Sequence, residues 1–509
     1  MVRRVKERVR SMRAEDEREG SDGRAGDARH ADAPAPGRRA ARGDGSARRS
    51  TAGLAVAAIA VMSAGLAVRF APEGAAAEGA AWAARGAVAA LLIAAVPRLG
   101  WREAYLGAVS AALAGLAVWR LETPMEAILA GFDQGAFLAA FIFLLTLLHG
   151  AASGSGAVAG LGGWLTAQPP GRRYLAMFWG ANVMAVTFNL GAVSLLTPLA
   201  QKGIEGQPEP VRSIRERRQV NAILRGFAWC VVWSPTSLAA IAVLELIPGV
   251  DRQWWSVWGL MLAGAVFCVG WAEDRLSVPA ATRRAGAAAR AASARERFPR
   301  RDFLGFAGAT AALFALMAGL GWLSGGSLVT GLLAACPLLA LGWAAGQGRL
   351  GGFVAEARER LLPEAAPVAA TLAFSGFIGR AGAALLPPDA LGTVLAVLGL
   401  PDWAVLAGIP LAIVCLSFFA VSPIMTAVFF GSLLGAMETL PASPTLVALS
   451  VSSGWALAMT ASPFATLALV MARLTGRPAW RLTLVWNGRF TPLAVLVVVA
   501  AAVLATGGR

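Results

Sequence analysis

Two clusters of hydroxyls sit beside prolines inside apolar runs of membrane length. The first is Ser234, Pro235, Thr236 and Ser237 in "WSPTSLA"; the second is Thr460, Ser462 and Thr466 around the proline of "TASPFATLA". Proline removes a backbone donor and clashes with the preceding helical turn, so each site predicts a helix break. A break at membrane depth frees carbonyls and amides, and hydroxyls beside them offer oxygen ligands for a cation or donors for an anion. Such backbone is tolerated only where it is buried in protein or lines a watery cavity. A lone Ser-Pro pair can be no more than a kink; two, at matched places, point to a binding site.

Other chemistries have little to work with. His149 and Ser234 are the candidates for a base and a nucleophile, and nothing in the sequence brings them together, so an enzyme is not expected. The two histidines and four isolated cysteines have no metal-ligand or redox spacing. The cysteines read as small packing residues. There is no phosphate-binding loop of the Gly-x-x-x-x-Gly-Lys type, which argues against ATP drive within the chain and against a nucleotide cofactor.

The elements that must position the hydroxyls are membrane helices. The chain has 509 residues, is 57% hydrophobic and only 15% charged. Apolar runs of roughly 17–25 residues, each long enough to cross a bilayer, recur along it. The net charge of +15 resides in an N-terminal tail and in certain loops, as the positive-inside rule requires. No basic stretch is interleaved with aromatics, so nucleic acid is not an expected partner. Residues 1–50 read as a disordered, Arg-rich cytoplasmic tail.

Lys and Arg then orient the spans. Residues 51–124 predict three transmembrane helices, and a fourth ends at His149. The run 174–199 has basic flanks on both sides, so both flanks should be cytoplasmic and the run should be a re-entrant hairpin with its tip near "TFNLGAVS", Thr187 to Ser194. The run 403–437 has no basic residue at either flank and predicts an external hairpin with its tip near "AVSPIMTA", which contains Ser422 and Thr426. The loop 273–302 carries eight arginines and belongs inside. The expectation is an all-α polytopic protein of the inner membrane with about 11 transmembrane helices plus two re-entrant hairpins, the N-terminus cytoplasmic and the C-terminus external.

Residues 125–272 and 365–509 follow one plan of helix, hairpin, broken helix and helix, in opposite membrane orientations. Residues 273–364 link them as a basic loop and a helix pair. This is the inverted-repeat logic of secondary transporters, in which hairpin tips and broken helices meet near the midplane. The expected solute and ion site comprises Thr187, Asn189, Gly191, Ser234, Pro235, Thr236, Ser237, Ser422, Thr426, Thr460, Ser462 and Thr466. Arg380, read as the one basic residue deep in a span, is a candidate charge partner for an anionic solute, with Asp133 and Glu245 as its own candidate partners. His149 reads as a solvated helix end.

The stretch from Gly131 to Leu165 and the segment "FNLGAVSLLTPLA" resemble the first repeat helix and the cytoplasmic hairpin of the ion transporter superfamily, which includes divalent-anion/sodium symporters and arsenite-type exporters. The resemblance covers about 125–272 and 365–505. It implies an elevator-type carrier, a homodimer, and Na+ held near Asn189 and Ser422. The family's Ser-Asn-Thr tip falls on Phe188, Asn189 and Leu190, of which the asparagine alone is kept; the second tip falls on Val421, Ser422 and Pro423. The combined expectation is a secondary active transporter of a small anionic solute, a carboxylate or inorganic oxyanion, coupled to Na+ or H+. The alternatives are an H+-coupled exporter of the same fold and a non-transporting membrane scaffold.

Overall fold

A computed structural model of the chain describes residues 40–169, 171–277, 297–325, 327–437 and 440–507. The expected tail therefore lies almost wholly outside the described residues, as does most of the 273–302 loop. The chain divides into two units, Met1–Arg49 and Ser50–Arg509; the second carries every feature below. Its described residues form helices and no strand.

The helices are α1 (Ala40–Phe70, apolar from Ser50), α2 (Ala75–Ala95), α3 (Trp101–Arg120), α4 (Pro124–Ser153), α5 (Gly156–Thr166), α6 (Arg173–Phe188), α7 (Leu190–Lys202), α8 (Val211–Cys230), α9 (Leu238–Leu246) and α10 (Arg252–Leu276). They continue with α11 (Arg300–Leu323), α12 (Leu328–Gly346), α13 (Leu350–Glu356), α14 (Leu362–Ala384), α15 (Pro388–Leu398), α16 (Asp402–Ser417), α17 (Pro423–Gly435), α18 (Pro444–Ala461), α19 (Thr466–Thr475) and α20 (Phe490–Thr506).

Eight helical stretches among the described residues are long and apolar enough to cross a membrane. This is a multi-pass membrane protein. The expected eleven spans also counted α3, the broken α8–α9 and α20, which fall outside those eight. The segment Ala357–Leu361 is a π-turn that joins α13 to α14 in one stretch, Leu350–Ala384. Two cysteines, Cys268 and Cys415, are exposed rather than packed inside; Cys230 and Cys336 are buried.

Local sequence explains where helices start. Asp251 accepts from the amides of Gln253 and Trp254 at the head of α10, and Ser443 accepts from Leu446 before α18, with Pro444 at the first helical position. Both are the ordinary satisfaction of orphan N–H groups.

The scaffold centres on α4 against α14. Lipid is as apolar as leucine, so membrane helices associate by close packing of small residues rather than by escape from water. Gly135 lies against the backbone of Ala373, with a hypothetical Cβ only 2.8 Å from its carbonyl oxygen. Gly376 lies against Gln134 and Gly131 against the Phe377 ring. α2 joins this pair through the ion pair of Arg85 with Asp133 of α4 at 2.7 Å; at the end of α1, Arg69 pairs with Glu245 of α9 at 3.0 Å and stands over the Phe137 ring of α4. Asp133 and Glu245 thus pair with these arginines and not with Arg380, and Arg85 is a second basic residue within a span.

Each short-helix pair packs on the broken helix that follows it. Gly226 of α8 touches the backbone of Phe178 on α6, and Gly454 of α18 touches Pro410 and Ile413 on α16. Each glycine stands eight residues before the serine of its Ser-Pro break. Gly226→Ala should lower thermal stability by about 1–3 kcal/mol, since no room exists for a methyl group against backbone. Gly264→Ala on α10, where nothing stands within 4 Å, should leave the melting temperature unchanged or slightly raised in the same detergent.

Candidate functional site

The first short pair, α6 and α7, turns over within a single residue. Asn189 takes φ +47°, a conformation that asparagine tolerates better than most residues, and its side-chain oxygen accepts from the Leu190 amide at 2.8 Å. The second pair, α16 and α17, turns through Phe418 to Ser422, with Ala420 at φ +62°. At 16 and 13 residues, and 16 and 13 again, the four helices are about 20–24 Å long, short of the roughly 30 Å hydrocarbon core.

Both broken helices open at their Ser-Pro pairs. α8 ends at Cys230 and α9 begins at Leu238; α18 ends at Ala461 and α19 begins at Thr466. Hydroxyls satisfy the intervening backbone. Ser237 donates to the Val231 carbonyl at 3.2 Å and accepts from the Ala240 amide at 3.1 Å. Ser462 accepts from the Phe464 amide at 3.2 Å. One hydroxyl from each break also reaches the preceding short pair. Thr236 donates to the carbonyl of Val186 near the end of α6, and Ser462 donates to the carbonyl of Ser417 at the end of α16, at 2.7 Å. Asn182 adds a further tie at the first break: it donates to the Gly226 carbonyl at 2.9 Å and accepts from the Trp233 indole at 3.0 Å.

A cavity of about 470 Å3 lies where these parts meet. Asn189 and Leu190 border it from one tip, and Ser422, Pro423 and Ile424 from the other. Leu238 and Thr466 border it from the two breaks. The first residue of each of four helices, α7, α9, α17 and α19, therefore stands on the wall. Phe227, Trp455, Met459, Ile142 and Leu372 supply apolar wall, and Arg98, Arg102, Glu103, Glu364 and Arg473 supply charge.

Of the sequence-predicted site residues, Asn189, Ser422 and Thr466 line this cavity. The hydroxyls of Ser422 and Thr466 have no protein partner among the described residues. The others stand behind the wall. Thr187 bonds Thr310 of α11 at 2.8 Å. Ser234 bonds Thr236 at 2.9 Å, and Pro235 lies between them. Thr426 and Thr460 donate to carbonyls of their own helices. Gly191 carries the imidazole of His149 against its backbone, so His149 is a contact of the first tip and not a solvated helix end. Arg380 forms no ion pair among the described residues and does not border the cavity. No group of three or more His, Cys, Asp or Glu with metal-binding proximity occurs among the described residues.

Sequence reasoning gave the charged residues of the wall, Arg98, Arg102 and Arg473 among them, no part in the site. It also passed over two buried networks. Arg225 is fully buried, bonded to Asn487 at 2.7 Å and Glu273 at 2.9 Å, and stacked on Phe490; it ties α8 to α10 and α20. Glu216, in the basic first half of α8, accepts from Arg477 at 2.7 Å and from Gln201 of α7 at 3.1 Å. Burial pushes the Glu216 carboxyl up, but the hydrogen bonds from Arg477 and Gln201 and the charges of Arg477 and Arg212 outweigh that and hold it below its usual value.

No protein-family profile matches the chain, and no curated protein does. Among solved structures it is similar to the YdaH transporter of Alcanivorax borkumensis, described as having an unusual topology. The TM-score is 0.51 and the identity 14%, over 80% of this chain and 98% of that one. At that identity the likeness concerns the fold, and the fold is one that a membrane transporter uses.

Two measurements follow from these contacts. Thr236→Val and Ser462→Ala each remove a donor from a buried carbonyl, and each should destabilise the protein by about 1–3 kcal/mol in thermal unfolding. For Glu216, the folded carboxyl titrates below its unfolded value. Its stabilisation is complete above about pH 4.5, the ordinary value, and is lost as pH falls through the lower folded value. Glu216→Gln should be less stable than wild type by about 2 kcal/mol at pH 7, and the gap should close as the pH is lowered below 4.

Proposed function

We propose that the chain is a secondary active transporter of a small anionic solute, coupled to Na+ or H+ and working by alternating access. The observation that carries this reading is the convergence of four helix N-termini, two from short-pair tips and two from breaks, on one cavity. An α-helix N-terminus carries roughly half a positive charge and unsatisfied N–H groups, so it favours anions. Four of them around one cavity, with arginines at its rim, suit an anion far better than a cation. The transporter fold supports the same class of activity.

In this reading the short pairs α6–α7 and α16–α17 are re-entrant hairpins. The sets α4–α10 and α14–α20 are two repeats of opposite orientation, and the protein sits in the inner membrane with its N-terminus cytoplasmic and its C-terminus external. The hydroxyl ties join each hairpin to its broken helix, which suits an elevator-type carrier whose two hairpin units move against the α4–α14 scaffold. That is the plan of the ion transporter superfamily, whose members act as dimers. Arg98, Arg102, Glu364 and Arg473 all come from segments assigned to the cytoplasm by their Lys and Arg content, so the conformation described is open inward. The unpartnered Ser422 hydroxyl beside the Asn189 tip is the place for a coupling Na+ or for the solute's oxygens. An H+-coupled exporter would use the same cavity in the reverse direction. A non-transporting scaffold has no use for four helix ends around a space of this size.

The test is uptake into proteoliposomes of a panel of labelled carboxylates and inorganic oxyanions, under Na+ and H+ gradients imposed separately. Saturable, gradient-dependent flux of at least one anion is expected; none for any anion under either gradient would overturn the proposal. Ser422→Ala removes a hydroxyl without a protein partner. It should leave the melting temperature within about 1 °C of wild type while lowering flux by about tenfold or more, the worth of one hydrogen bond to a charged group.

A further inference from the structure

Arg102 stands at the second position of α3, outside both repeats, and borders the cavity. One terminal nitrogen of its guanidinium is sealed from solvent and has no hydrogen-bond partner. A sealed donor without an acceptor is unfavourable until something completes it. The neighbouring Glu103 carboxylate acts on it through charge but gives it no hydrogen bond. Both Glu103 oxygens are engaged, one by the Gly100 amide at 2.9 Å and the other by the Thr371 hydroxyl at 3.1 Å. Glu364, the other acid on the wall, is exposed and forms no ion pair among the described residues. The remaining cations differ from Arg102: Arg98 donates to the Pro363 carbonyl and the Thr51 hydroxyl, and Arg473 is exposed.

The space facing Arg102 is walled by Phe227, Trp455, Met459, Leu372 and Ile142. Its volume of about 470 Å3 falls in the range of small-molecule sites, roughly 300–1,000 Å3. An inorganic oxyanion or a compact dianion would leave this apolar wall wet. A single carboxylate on an apolar body satisfies both features, because the guanidinium takes the headgroup in a two-point hydrogen bond and the wall takes the body.

We propose that Arg102 is the carboxylate anchor of the transport site and that the solute is an organic monocarboxylate with an apolar body. This rests on the transporter reading and narrows it. It places the headgroup contact on a helix of the scaffold rather than on either repeat, so solute held there bridges the moving and the fixed parts.

Binding and transport test it separately. Purified wild-type protein and the variants R102Q and R102K are heated with hexanoate, hexanamide, succinate or sulfate. Hexanoate should raise the wild-type melting temperature, and the three others should do so less or not at all. R102Q should lose the hexanoate response while the ligand-free variant melts no lower than wild type, because an orphan buried charge has been removed. R102K, which keeps the charge without the fork, should retain part of the response. In proteoliposomes, R102Q should raise KM for any carried carboxylate by ten- to a hundredfold and change kcat less. Equal or greater stabilisation of wild type by succinate or sulfate, no stabilisation by hexanoate, or an unchanged response in R102Q would overturn the proposal. A marked loss of ligand-free stability in R102Q would also overturn it, since it would assign Arg102 to the fold. Flux of an anion carried by R102Q with wild-type KM would leave transport standing and remove Arg102 from it; no flux of any anion by wild type would remove both.

Discussion

Backbone amides and carbonyls in the hydrocarbon layer have no water to bond, so every departure from helix there must be satisfied from within the protein. That constraint organises this molecule. Its two Ser-Pro breaks each leave a stretch of non-helical chain, and each is repaired by hydroxyls that the same stretch carries. Ser237 and Ser462 act in both directions, accepting from an amide ahead while donating to a carbonyl behind. The repair also reaches across to the neighbouring short pair, through Thr236 to Val186 and Ser462 to Ser417. What holds the breaks open is therefore also what fastens each broken helix to its hairpin.

The two halves solve this problem in the same way. In each, a glycine eight residues ahead of the serine lets the broken helix approach the first helix of the short pair, Gly226 on Phe178 and Gly454 on Pro410. In each, the carbonyl that receives the hydroxyl lies in the last turn of that first helix. A close glycine contact and a buried hydrogen bond, one turn or more apart, fix both the separation and the register of the two helices. The α4–α14 contact uses glycine in the same manner, at Gly135 and Gly376, but carries no polar tie across the crossing among the described bonds. Packing without directional bonds joins the first helices of the two halves, whereas packing with directional bonds holds each half's hairpin to its break. That difference in kind suits a boundary along which parts slide.

The breaks were legible in the sequence because their cause is local: proline lacks an N–H, and hydroxyls beside it can satisfy what it frees. The Asn189 tip was legible because Asn189 and Gly191 weaken a helix at that point of the run; its positive φ emerges only in the structure. The direction of the hydroxyls was not legible. Whether Thr236 faces a cavity or the Val186 carbonyl depends on where α6 lies, and α6 is some 50 residues away in the chain. Arg102 was hidden for another reason. Whether a charge between two apolar runs has a hydrogen-bond partner depends on tertiary packing, which seals one Arg102 nitrogen without an acceptor. Arg380 shows the converse. Its depth in an apolar run singled it out, yet Asp133 and Glu245 pair elsewhere and it does not border the cavity.

These placements divide the polar groups into those that make the site and those that face it. In the proposed transporter, a Ser234–Ser237 cluster lining the cavity would have to exchange its backbone partners for solute, loosening the break. Turned inward, they keep the half-helices aimed. In the proposed transporter, recognition would fall to the hydroxyls of Ser422 and Thr466, which have no protein partner among the described residues, and to Arg102. A helix end offers a fixed positive field without needing to move or change protonation. In the proposed transporter, a solute held by such fields needs no bond that the fold also needs, and its release breaks none.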